Sequence, residues 1–318
     1  MENVSDPASL SKPDLSSEQV SQAVSAAIGA LQDSSPIPVR ILPEKAGELE
    51  AAVRFSLRIL PIPENDEMPG KPSSRSRSCL GRAETWPAVA GLCSLVSLRP
   101  LGVALEPLVT KEGVGVLHAE QTFELLRIPR DEEQLTASAT LSKSRQMRGS
   151  YILQVVERLQ DSEGKDVTIG SSTLFVAGQR ALRHENGSRR SAPGASASTE
   201  NRRVVASSIG VAGPVELARY GGASGDFNPI HFDAEYATKA GFARPIVHGM
   251  LIYNWVIWTW ASLLKDLAPS FKTKIRFVNP LLTSEPATVN IYDELSFEVF
   301  KESSSEAEPV AKGSIRTY

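Results

Sequence analysis

The chain has 318 residues, 41% of them apolar and 22% charged, with a formal net charge of −3. That length predicts two domains with ample core, and the composition is that of a folded globular protein. The slight acidity argues against nucleic acid or an anionic membrane surface as a partner, since either needs a basic patch.

Cys79 and Cys93 are the only cysteines, too few for a disulfide framework or a structural zinc site, and are expected as free thiols of a reducing compartment. The first residues carry Glu2 and Asp6 and lack an apolar core, unlike a secretory signal or a good mitochondrial presequence. The last residues, Ser314-Ile315-Arg316-Thr317-Tyr318, are not a Ser-Lys-Leu peroxisomal address. The default expectation is a cytoplasmic location, with organelles left open.

Residues 1–35 are rich in Ser, Asp, Gln and Ala and read as a mostly disordered tail, with a weak helical pattern over 20–31. Order is expected from about Ile37. Residues 61–82, punctuated by Pro61, Pro63, Pro69, Gly70 and Pro72 and followed by a Ser/Arg run, read as loop. Residues 86–98 are apolar on nearly every face and, if helical, must be buried. Strand patterns follow at 114–126, 135–141, 151–159 and 167–176, the last two joined by the hairpin residues Asp161-Ser162-Glu163-Gly164. His118 falls in the first of these strands and is read as a sheet residue without a catalytic part. Residues 178–203 lose apolar character and read as a Gly/Ser-rich linker containing a solvated His184.

From 204 the pattern repeats without repeating its letters. Residues 214–220 suit a short helix. Asp233 can cap a helix over 234–240 that Gly241 closes. Residues 250–264, with Trp255, Trp258 and Trp260, are apolar on almost every side; they are too short for a confident membrane span and read as a helix wrapped by a sheet. Strand candidates at 274–278, 287–292, 295–300 and 310–316 alternate as an antiparallel sheet with one face on that helix.

The chemistry concentrates in Tyr220-Gly221-Gly222-Ala223-Ser224-Gly225-Asp226-Phe227-Asn228-Pro229-Ile230-His231. Gly225 and Asp226 form turns, Pro229 removes a backbone donor, and the stretch is expected to be irregular rather than helical. Such a loop can aim the Asp226 carboxylate and the His231 imidazole at one point, as acid–base work on a bound water requires. Ile246-Val247-His248-Gly249-Met250 then opens the long apolar run.

These segments resemble the MaoC-like, or type 2 enoyl-CoA hydratase, family, whose signature is approximately Ser-Gly-Asp-x-Asn-Pro-x-His followed by His-Gly-Met. Ser224, Gly225, Asp226, Asn228, Pro229 and His231 fill every signature position. The resemblance covers residues 214–318, and the overall length is similar to that of the double hot-dog members, whose N-terminal half has lost the motif. It implies an α+β fold of two halves, each an antiparallel sheet around a central helix. The N-terminal half would be 36–177 and the catalytic half 204–318.

The implied activity is (3R)-3-hydroxyacyl-thioester dehydratase or enoyl-thioester hydratase in fatty-acid metabolism. Asp226 and His231 would be catalytic, Gly249 the oxyanion donor, and Asn228 a residue that orients the loop or the water. Lys274 and Arg276, with Lys272, could meet the phosphates of a CoA or phosphopantetheine arm, or simply lie on a solvated strand face. His248 and Tyr220 read as packing residues. No metal and no redox cofactor is expected, since CoA or phosphopantetheine enters as part of the substrate. The expected partners are an acyl-CoA or acyl-carrier-protein substrate and, as an open option, a homodimer, with no nucleic acid and no membrane span. The alternative is a module that binds acyl thioesters without turning them over.

Overall fold

The structure is a computed structural model and describes residues 16–60, 82–109, 111, 113–147, 149–178, 202–264, 270–302 and 308–318. The loop at 61–81, Cys79, and the linker at 179–201 with His184 therefore lie outside the described residues.

Among the described residues one antiparallel sheet of eleven strands runs in the order β1-β4-β5-β6-β3-β8-β11-β10-β9-β7-β2. Its N-terminal portion comprises β1 (Ile37–Arg40), β3 (Val114–Leu125), β4 (Gln134–Met147), β5 (Ser150–Gln160) and β6 (Asp166–Gly178). The C-terminal portion comprises β7 (Val204–Gly210), β8 (Phe271–Phe277), β9 (Ala287–Tyr292), β10 (Ser296–Lys301) and β11 (Glu308–Thr317), edged by β2 (Leu57–Leu60). The two portions join where β3 pairs with β8, from Glu120 opposite Arg276 to Leu125 opposite Phe271. This is the double hot-dog architecture expected from the sequence, with the two sheets fused into one.

The helices among the described residues are α1 (Ser17–Gln32), α2 (Pro43–Ser56), α3 (Arg82–Ser97), α4 (Arg99–Val109), α5 (Pro214–Ser224), α6 (Ala234–Lys239) and α7 (Gly249–Ala261). Every residue of α7 from Met250 to Trp260 is buried, which explains why its sequence shows no polar face. Among the described residues no single helix is long and apolar enough to cross a membrane. The Trp255 ring lies so close to β7 that a Cβ at Gly210 would come within 2.5 Å of it. Trp86 of α3, Trp260 of α7 and Phe271 of β8 meet edge-on with centroids 5.0–5.9 Å apart and close the core between the halves.

Two expectations need correction. The tail is ordered from Ser16: a Ser16–Gln19 capping box starts α1, and Val20, Val24, Ala27 and Leu31 are buried against α4 and the inner face of β4–β6. That stripe has helical spacing, but only three of its members are larger than alanine. Each of those three contributes about 1.5–3 kcal/mol by burial. Nor does the chain from 36 to 177 form the N-terminal half alone. Residues 43–60 cross to the other half, where β2 pairs with β7, Ser56 Oγ accepts from Trp255 Nε1 at 2.9 Å, and Arg54 lies over the Trp258 ring. The period-2 signal of β2 is four residues long and carries no register information of its own.

Candidate active site

Helix α5 continues through Gly221 and Gly222 to Ser224, further than the irregular loop expected there. It ends because Gly225 takes φ 78°, the left-handed region that glycine enters without steric cost. The Ser224 hydroxyl donates to the Tyr220 carbonyl at 2.7 Å and accepts from the Asp226 N–H at 3.1 Å. Asp226 Oδ1 accepts from the Asn228 N–H at 3.1 Å, and Asn228 Oδ1 accepts from the Ile230 N–H at 3.2 Å. Residues Pro229–His231 then form one 3-10 turn. The Ser224, Asp226 and Asn228 side chains thus each cap the next piece of backbone, so the path of the loop is set largely by local hydrogen bonds.

His231 is buried, and its Nδ1 lies 2.8 Å from the Ile246 carbonyl oxygen. A carbonyl can only accept, so Nδ1 carries the hydrogen and Nε2 keeps its lone pair. That Nε2 lies 4.0 Å from Asp226 Oδ2, too far for a direct hydrogen bond but close enough for one water oxygen to bond both. Burial lowers the His231 pKa, only partly opposed by the Asp226 charge and the Ile246 carbonyl, and so keeps the ring a neutral base. Burial pushes the Asp226 carboxyl up, but attraction to His231 and His248 in their protonated forms, with the Asn228 N–H, outweighs it and leaves the group below the usual carboxylate range. Its side chain is half exposed, facing a cavity of about 900 Å³ that His231, Asn228 and Gly249 also line.

Gly249 is the first residue of α7, where the N–H has no carbonyl four residues back within the helix. A Cβ there would lie 3.0 Å from the Phe277 ring, so any larger residue would need that ring to give by a few tenths of an ångström. His248 stacks on His231 with centroids 3.7 Å apart and planes 22° from parallel. Asp226, His231 and His248 hold ligand-type atoms within 4.8 Å of one another. A metal ion, however, must lie in the plane of each imidazole about 2.1 Å from its nitrogen. Two rings stacked in this way cannot share such a point, and the donor set does not fit a metal.

The structure brings Asp226, His231, Asn228 and Gly249 to one cavity and leaves two expected residues out. Lys274 and Arg276 alternate with the buried Ile275 and therefore point from the outer face of the sheet; Lys274 pairs with Glu120 at 3.0 Å. Conversely, His118 lines the cavity. Its Nε2 is 2.9 Å from Gln121 Oε1, its ring centroid is 5.4 Å from that of Phe277, and burial takes its pKa down to about 4. Sequence reading missed it because a register shift between His118 and Glu120 turns the side chain inward, and nothing local announces that shift. Leu98, Leu101, Leu105, Val116 and Leu174 add an apolar wall from the N-terminal half.

A profile described as MaoC like domain matches residues 188–310. The (R)-specific enoyl-CoA hydratase of Aeromonas caviae is 34% identical over 106 residues, 33% of this chain and 74% of that enzyme. The mouse peroxisomal multifunctional enzyme type 2 is 26% identical over 198 residues; the match covers 61% of this chain but only 26% of that longer protein. The crystal structure of HtdX from Mycobacterium tuberculosis superposes with a TM-score of 0.61 at 14% identity, covering 89% of this chain and 100% of HtdX, a likeness of fold. With the motif complete and 74% of the Aeromonas caviae enzyme matched at 34% identity, the chain belongs to the MaoC-like dehydratase family.

Proposed function

We propose that this chain catalyses the reversible hydration of a trans-2-enoyl thioester to the (3R)-3-hydroxyacyl thioester. The observation that carries the reading is the pair Asp226 Oδ2 and His231 Nε2, held 4.0 Å apart with the ring's lone pair facing the carboxylate. In the forward direction one O–H of the water donates a hydrogen bond to the Asp226 carboxylate and stays intact, while His231 Nε2 takes the other proton as the oxygen bonds to C3. The π electrons move through C2 to the thioester oxygen, whose charge the Gly249 N–H meets at the positive end of α7. Return of the electrons lets C2 take the proton from His231, so hydroxyl and hydrogen add to the same face. The acyl tail runs along the apolar wall of the N-terminal half. CoA or a phosphopantetheine arm enters as part of the substrate, and the reaction needs neither metal nor redox cofactor.

The names of the relatives, hydratases and dehydratases of acyl thioesters, support a hydro-lyase activity, and a place in fatty-acid metabolism is part of the proposal. A module that only binds thioesters would have no use for a buried neutral imidazole paired with a carboxylate. Purified protein mixed with crotonyl-CoA or a long-chain enoyl-CoA is expected to remove the conjugated thioester absorbance. Dehydrogenases specific for each 3-hydroxy configuration would then read the product. NADH formed only with the 3R-specific enzyme supports the reading, and NADH only with the 3S-specific enzyme or unchanged absorbance contradicts it.

A further inference from the structure

We infer that His248, which the hydration chemistry above does not use, is a positioning residue that holds both members of the dyad; the inference rests on the hydratase reading. Its Nε2 lies 3.1 Å from the backbone carbonyl oxygen of Asp226, so Nε2 must carry the hydrogen. Its ring is stacked at 3.7 Å on that of His231. One side chain thus ties the loop that aims the carboxylate and forms the floor on which the base lies. His231, by contrast, is protonated on Nδ1 by its bond to the Ile246 carbonyl. The two imidazoles are therefore neutral and fixed in opposite tautomers, one presenting a lone pair to substrate and the other a hydrogen to the backbone.

The surroundings keep His248 in that state. It is 1% exposed, and burial first, then the neighbouring His231, hold its pKa down to about 3. Its Nδ1 finds no hydrogen-bond partner among the described residues; nor does the buried hydroxyl of Tyr220, whose ring centroid is 4.9 Å away. The polar neighbour of the Tyr220 hydroxyl is Asn254, so the ring of Tyr220 packs against His248 without competing for its nitrogens. A residue that merely filled space at the start of α7 would need no donor aimed at the Asp226 carbonyl.

The test uses the full chain with crotonyl-CoA as the probe. A leucine at 248 fills similar space without a donor, whereas the amide nitrogen of glutamine reaches about where Nε2 lies. H248L is expected to lower kcat ~100-fold with KM little changed, the size of effect that a small misplacement of reacting groups produces. H248Q is expected to recover at least about tenfold of that loss. Long-range nitrogen–proton NMR on the wild-type protein should show one buried neutral histidine with hydrogen on Nε2 and another with hydrogen on Nδ1. This readout survives even if a variant fails to fold. Wild-type kcat in H248L, equal loss in H248L and H248Q, or a His248 protonated on Nδ1 would each overturn the inference. A wild-type protein inactive on enoyl-CoAs would instead overturn the hydratase reading, and with it any role of His248 in hydration, while leaving the tautomer assignment to stand or fall by NMR.

Discussion

In the C-terminal half one helix, α7, runs unbroken beneath the sheet with eleven consecutive buried residues. In the N-terminal half the span under the sheet is divided between α3 and α4, which meet at 53°. The sheets differ in the same sense. The inner face over α7 carries Phe271, Ile275, Val289, Ile291, Phe297 and Val299, and its buried Ser208 and Thr273 hydroxyls are both hydrogen-bonded to side chains of α7. The N-terminal inner face interrupts its aliphatic residues with Gln121, Glu157, Thr168 and Ser172, all buried, with Ser172 Oγ donating to Gln121 Oε1 at 2.6 Å. The continuous half presents Gly249 at the start of a fully packed helix, beside the motif loop. The broken half leaves space, and the cavity opens along α4. One fold, used twice, thus supplies position on one side and room on the other.

If position belongs to the C-terminal half, the largest effects must come from its motif. D226N and H231A are each expected to lower kcat by about 10²–10⁴-fold, the usual range for a lost acid–base group, with thermal midpoints close to wild type. The wild-type pH profile of kcat/KM should fall on the acid side only at a pH below 6.5, the ordinary histidine value, because burial lowers the His231 pKa. Comparable losses from substitutions confined to the N-terminal half would break the comparison.

The buried Glu157 sharpens it from the side of stability. Burial raises its pKa from 4.5 to about 7, so the folded protein holds a proton that the unfolded chain releases. Its neutral form is favourable at low pH, and stability falls as pH rises from 4.5 to about 7. E157Q should flatten that slope by on the order of 3 kcal/mol over the interval, measured by urea unfolding at several pH values. An unchanged slope would show that Glu157 is not held neutral in the fold.

Smaller effects separate the two halves kinetically. G249A places a methyl group within 3.0 Å of the Phe277 ring and forces either the ring or the helix start to move. A loss of ~100-fold in kcat is expected from that displacement, for short and long substrates alike. Leu174 lines the cavity from β6. L174W should raise KM for a long-chain enoyl-CoA ~10-fold, within the range by which an apolar pocket discriminates, while leaving crotonyl-CoA almost unaffected. An equal effect on both chain lengths would place the acyl tail elsewhere.

Much of this was legible in the sequence, for identifiable reasons. The strands over 114–126, 151–159, 167–176 and 287–292 show because one face of each is apolar and the turns between them carry Gly and Asp. The pair shows because Asp226 and His231 lie on one short loop capped by its own Ser224, Asp226 and Asn228, although the His231 ring is turned by the more distant Ile246 carbonyl. What did not show depends on contacts far apart in the chain. Lys274 and Arg276 are basic and near the motif, but strand alternation around Ile275 sends them to the outer face. His118 reaches the cavity through a bulge. The crossing of 43–60 to the C-terminal half is specified by partners such as Trp255 and Val211, about two hundred and one hundred and fifty residues away.

The central claim, that Asp226 and His231 act together on one water, is tested most directly by the double variant D226N/H231A beside the two single variants. Groups that serve one event cannot be lost twice. The predicted kcat for crotonyl-CoA hydration is therefore within a few-fold of the slower single variant, with all three proteins folded. A double variant whose loss equals the product of the two single losses would show two independent contributions and contradict the shared-water account.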